Sequence, residues 1–277
     1  MKTRFWKYEG AGNDFVLLDC RGTNFEPSEE FIRTICSRRT GVGADGAMML
    51  TDSEAYDFGM RYFNSDGPEA TMCGNGGRCI VWFADLLGIG GDKKTFEAVD
   101  GVHTAEILSR SGTTAIVKLQ MVDVDSVAVD SEGDILLDTG SPHLVRMVDT
   151  LEMDVVGIGA ALRYGPKTAP TKGANINFVK VEGEGRLSLR TYERGVEDET
   201  LACGTGATAT AIAICHTQQP AVRHFDLAAR GGDLAVDFEK GDDGRYTNIH
   251  LTGPARVVFE GELVYVFKRE YQPMANG

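Results

Sequence analysis

The sequence predicts an α+β fold of two pseudo-symmetric lobes, each a β-rich curved sheet or barrel around one central helix, with the active site in the cleft between them. Three observations carry this. Strand-like runs outnumber helix-like ones without the strict alternation of a doubly wound parallel sheet. A motif recurs: residues 69–76 read EATMCGNG and residues 199–206 read ETLACGTG, so each half has a glutamate four places before a cysteine, then Gly, a small polar residue and Gly. A weaker echo joins GAGNDFV at 10–16 with GANINFV at 173–179, and two echoes in one order indicate duplication of a unit.

Short β-branched or aromatic runs bounded by Gly or Asp predict strands over 15–19, 47–50, 57–63, 115–121, 135–138, 176–181, 187–192, 234–238, 248–252, 255–259 and 262–268. Helices are expected over 28–37, 76–87, 149–161 and 206–216. Each cysteine motif follows a strand with an aromatic near its end, Tyr62 and Phe63 or Tyr192, then a polar residue, Asn64 or Glu193. The first lobe is expected over 1–122 and the second over 123–262, with the C-terminal strand, about 263–277, returning to the first lobe.

At 277 residues the chain can bury a sizeable core. No apolar run approaches the roughly 20 residues that span a bilayer. The N-terminus lacks the apolar segment of a secretory signal, so a cytoplasmic protein with no membrane role is expected. A formal net charge of -13, with no gathered run of basic residues, speaks against nucleic acid as a partner. Cys20, Cys36, Cys73, Cys79, Cys203 and Cys215 have neither disulfide-framework nor zinc-knuckle spacing, so free thiols and no metal are expected. GVGADG at 41–46 fits the dinucleotide pattern GxGxxG, but a strand follows it where a helix belongs, and a Rossmann site is not supported.

The chemistry lies in the repeated motif. First-turn amides of a helix have no intrahelical partners and carry partial positive charge. A thiol held there is expected to fall below its usual pKa of about 8.5 and to serve as a base. Glycines let the backbone approach a ligand, so the same amides can hold a carboxylate. Two such motifs place two sulfurs on opposite faces of one carbon, as inversion by proton removal and return requires. Cys20, Cys36, Cys79 and Cys215 read instead as small core residues.

Asn13, Asn64 and Asn175 read alone as turn residues. Glu193 and Arg194 read either as a solvated pair or, for Arg194, as a planar fork gripping a second substrate carboxylate. His143, in GSPH, reads either as an ordinary loop histidine or as a group that tunes a thiol.

In this order, GAGNDFV, FNSDGPEATMCGNGGRC, GSPH, GANINFV and YERGVEDETLACGTGATA closely resemble the diaminopimelate epimerase family. The resemblance implies interconversion of LL- and meso-2,6-diaminopimelate, in lysine and peptidoglycan precursor synthesis, without a cofactor. It implies that Cys73 and Cys203 are the acid/base pair and that His143 and Glu193 lie close to the reacting centre. Gly74, Asn75, Gly204 and Thr205 would hold the reacting carboxylate, and Asn13, Asn64, Asn175, Glu193 and Arg194 the rest of the substrate. Three departures stand out. Ser141 replaces the Asn of GNPH, Gly46 replaces a glutamine found in some members, and ERGVEDET is one residue longer than ERGxGET. The competing readings are a proline or hydroxyproline type racemase and a non-catalytic thiol redox protein. A homodimer is compatible with the sequence.

Overall fold

In a computed structural model, which describes residues 2–264, the strands form two circuits with the same pairing pattern. The first runs through β1 (Lys2–Gly10), β2 (Asn13–Asp19), β3 (Gly46–Thr51), β4 (Phe58–Asn64), β6 (Lys93–Ala98), β7 (Gly101–Ser111) and β8 (Thr114–Gln120). It closes through β17 (Tyr246–Val264), which pairs with both β8 and β1, making an eight-stranded barrel. The second runs through β9 (Val127–Val129), β10 (Ile135–Asp138), β11 (Pro142–Met147), β12 (Asn175–Gly183), β13 (Arg186–Glu193), β15 (His224–Ala229), β16 (Gly232–Lys240) and the start of β17. A single bridge, Val124 to Tyr246, ties its ends. In the first, β2 and β3 are parallel, as are β4 and β6; in the second, β11 and β12 are parallel, as are β13 and β15; the remaining ladder pairs are antiparallel.

Each circuit encloses one helix. α2 (Gly74–Leu86) is buried at every residue from Gly74 to Ala84, and α4 (Gly204–Thr217) at nearly every residue from Gly204 to Cys215. A helix apolar on all sides belongs inside a core. α4 is slender, built of Ala, Thr and Ile, and its buried Thr208 and Thr210 hydroxyls donate to the carbonyls of Gly204 and Gly206. The outer helices are α1 (Glu29–Cys36), capped by Ser28, and α3 (Val155–Arg163), capped by Asp154.

Several expectations change. Both central helices begin two residues earlier than predicted, because the cysteine itself is the cap. α3 starts at Val155 rather than 149, since Asp154 accepts from the Gly157 amide and fixes the first turn there. Eight strands lie outside the expected ranges: β1, β6, β7, β11 and β15, rich in polar and charged residues, and the two- or three-residue strands over 69–70, 127–129 and 198–200. The three strands expected over 248–268 form one strand as far as Val264, with Gly253 and Pro254 pairing to β8 rather than turning; 265–268 lie outside the described residues. β17 moves from one circuit to the other at Gly253 rather than near 263, because pairing with β16 ends at Thr252. The weaker echo is also reassigned. Register pairs Phe15 with Gly46, and His143 with Asn175, so β2 matches β11 and not β12. Asn13 then corresponds to Ser141, and Gly46 to Asn175. The shared string reflects glycine-turn entry into a strand at two different places.

Candidate active site

The short strands β5 (Glu69–Ala70) and β14 (Asp198–Thr200) bring the chain back from β4 and β13 to the start of each central helix. Cys73 and Cys203 are the N-caps. The Cys73 sulfur accepts from the Gly76 amide at 3.2 Å and the Cys203 sulfur from the Gly206 amide at 3.4 Å. The two helix starts abut. A Cβ on Gly74 would lie 3.5 Å from the Gly204 Cα, one on Gly204 would lie 3.3 Å from the Gly74 Cα, and both would fall 2.8 Å from Leu251. Glycine at these two positions is what lets the helix ends, with their unpaired amides, converge on one point.

The expectation of lowered thiol pKa values does not hold. Burial pushes the Cys73 thiol up to about 11 and the Cys203 thiol up to about 12, and the nearby Glu193 carboxylate adds to both. The cap amides pull the other way and lose. Burial also raises Glu193. Against these protein groups alone, both thiols are held protonated at neutral pH.

A cavity of about 690 Å³ opens beside Cys73. Asn13, Tyr62, Asn64 and Cys73 line it from the first lobe, and Glu193 and Arg194 from the second. Cys203 sits deeper, 6% exposed, its sulfur 3.4 Å from the Thr205 hydroxyl. The Asn13 amide donates to Asp45, which also faces the cavity. The Arg194 guanidinium donates only to the Gly173 carbonyl, and no carboxylate pairs with it among the described residues.

Six further predicted residues do not line that wall: Gly74, Gly204 and Thr205 lie at the helix starts with Cys203, and Asn75, Asn175 and His143 are turned elsewhere. The buried Asn75 amide donates to the Ala202 carbonyl and accepts from Arg78, so its side chain ties the lobes together. Asn175 donates to Ser141 and accepts the backbone N–H of Arg194, holding the loop that carries the arginine. His143 is 1% exposed, with Nδ1 bonded to Asn177 and Nε2 to Ser141, so neither ring nitrogen is left for a thiol. Burial, and then Arg194, lowers its pKa to about 3, and it is neutral. Sequence reading missed Tyr62, Asp45 and Asn177. Asn177 lies under α4, where a Cβ on Gly206 would come within 2.4 Å of its Oδ1. Only its place in the echo strand hinted at a role.

Among solved structures, a phenazine-biosynthesis PhzF-family protein from Bacillus anthracis superposes with a TM-score of 0.74 at 17% identity, covering 96% of this chain and 100% of its own. A hydroxyproline epimerase from Agrobacterium vitis gives 0.68 at 15% identity, covering 95% and 92%. At these identities the likeness shows the two-lobed fold. The model of the diaminopimelate epimerase family matches residues 5–125 and 135–258. The diaminopimelate epimerase of Flavobacterium psychrophilum is 46% identical over 93% of this chain and 98% of its own, and that of Chlorobaculum tepidum 40% identical over 92% and 98%. Fold, cleft and relatives together define a cofactor-independent, racemase-type isomerase. The chain belongs to the diaminopimelate epimerase family.

Proposed function

We propose that the chain interconverts LL- and meso-2,6-diaminopimelate in the cytoplasm, supplying lysine and peptidoglycan precursors, with Cys73 and Cys203 as its two bases. The observation that carries this reading is the pair of sulfurs capping two abutting helix starts, beside a cavity that presents an unpaired arginine. One thiolate takes the α-proton, forming its S–H bond as the C–H bond breaks. The opposite thiol gives its proton to the other face, and the negative charge ends on that second sulfur. The amides of Gly74, Asn75, Gly204 and Thr205 hold the α-carboxylate, where carbanion charge develops. Charge on Cys73 raises Cys203, which favours one thiolate per pair, and a thiolate of raised pKa is a stronger base toward a weak carbon acid. Arg194 receives the remote carboxylate, which a monocarboxylate such as proline lacks. One chain supplies both thiols, so the reading holds for a homodimer as for a single copy.

The test is a proton NMR time course of reduced protein with LL-diaminopimelate in D2O, beside Cys73→Ser and Cys203→Ser. Loss of the α-proton signal with meso product is expected, slowed at least about 100-fold in each variant. A folded, reduced wild-type chain that leaves the spectrum unchanged rules out this substrate.

A further inference from the structure

Gly46 lies on β3 with an ordinary negative-side backbone conformation, so glycine there serves space rather than φ. That space is filled by Tyr62 of the adjacent strand. A Cβ on Gly46 would lie 2.6 Å from the Tyr62 ring edge, 2.7 Å from the Phe63 carbonyl oxygen and 3.1 Å from the Tyr62 hydroxyl. The ring is held edge-on by Phe15, with centroids 6.0 Å apart. Tyr62 lines the cavity with Cys73 and Asn64, and its hydroxyl has no hydrogen-bond partner among the described residues. Thr191, its counterpart on β13, is different: its hydroxyl donates to Asn177. A phenol hydroxyl left unpartnered on the wall of a polar cavity is a donor waiting for a ligand acceptor. Burial keeps the phenol neutral well beyond ordinary tyrosine behaviour, so it remains a donor across the working pH range.

We propose that Tyr62 is a substrate-contacting residue: Gly46 forgoes a side chain to seat the ring, and the Tyr62 hydroxyl donates a hydrogen bond to a carboxylate of the bound diamino dicarboxylate. The assignment rests on the function proposed above.

Tyr62→Phe removes the hydroxyl and keeps the packing. With LL-diaminopimelate, KM is expected to rise about tenfold while kcat stays within about threefold, as for loss of one hydrogen bond to a charged group. Gly46→Ala crowds both the ring and the Phe63 carbonyl and should raise KM at least as much, and in a Tyr62→Leu background the same alanine should raise it less than it does in the wild-type chain. A Tyr62→Phe KM within about twofold of wild type, or a loss confined to kcat, overturns the assignment. So does a Gly46→Ala enzyme with unchanged KM. If the wild-type chain fails to exchange the α-proton at all, the functional reading falls and takes this assignment with it. An active wild-type chain with an unmoved variant overturns the Tyr62 assignment alone.

Discussion

The two lobes use one backbone plan and furnish it differently. α2 and α4 both begin at a glycine behind a capping cysteine, and both caps accept the amide three residues on. Around them, matching positions carry unlike side chains: Phe15 against His143, Gly46 against Asn175, Asn64 against Glu193, Ser65 against Arg194. The first lobe offers amides and a phenol beside the Arg38–Asp45 ion pair, the second a carboxyl and a guanidinium that has no carboxylate partner among the described residues. The difference matches the chemistry of inversion. A carbon attacked from two faces needs two equivalent bases, and duplication supplies them. A substrate whose two ends do different things needs unlike walls, and divergence supplies those.

The largest expected effect comes from breaking the part the lobes share. Alanine at Gly74 or Gly204 drives a Cβ into Leu251 and toward the opposite helix start. Each variant should lose at least about 100-fold in kcat/KM and about 1–3 kcal/mol of stability, read by steady-state kinetics and urea unfolding. Near-equal losses support a shared convergence point; a loss at only one position would show that the two caps do not act as a pair.

A smaller effect probes the unlike walls. Arg194→Ala should lower kcat/KM roughly 100-fold, and Arg194→Lys, which keeps charge but not the planar fork, roughly tenfold. Ser65→Ala, at the matching place in the first lobe, should stay within about threefold. If Ser65 matters as much as Arg194, the assignment of the remote carboxylate to the second lobe is wrong.

The smallest is a difference in acid response. Burial first, and then Arg194, depresses His143 to about 3 from its ordinary value near 6.5, while Phe15 has nothing to titrate. A depressed base favours folding above its unfolded pKa, and that contribution is lost as pH falls from about 6.5 toward 3. The slope is at most about 1.4 kcal/mol per pH unit for this one proton. His216 and His250 share the direction. Urea unfolding from pH 7 to 4.5 should therefore show falling stability with a flatter curve in His143→Gln. An identical slope in both proteins would remove His143 as the source.

How much of this was legible in the sequence varies with the range of the interaction. The cysteine caps were, because a cap is a contact between residues three apart and leaves a local signature of Cys, Gly, small polar and Gly. Duplication was legible through that signature. β15 does carry an alternation, Phe225 and Leu227 buried between exposed His224 and Asp226, but over too few residues to stand out, whereas β1, β7 and β11 owe their strand character to barrel closure. Asn75, Asn175 and His143 were read as facing the ligand or a thiol, and the structure turns their side chains to Ala202, Arg194, Ser141 and Asn177.

The sequence by itself determined the pair of thiols, their helix starts and the two-lobed plan, all fixed by short-range pattern repeated once. Only the tertiary structure decided what those thiols experience. Burial between two barrels outweighs the helix amides and raises both sulfurs, and strand register sets Tyr62 over Gly46 and leaves Arg194 without a carboxylate among the described residues. Desolvation and register depend on residues far apart in the chain, and no local motif encodes them.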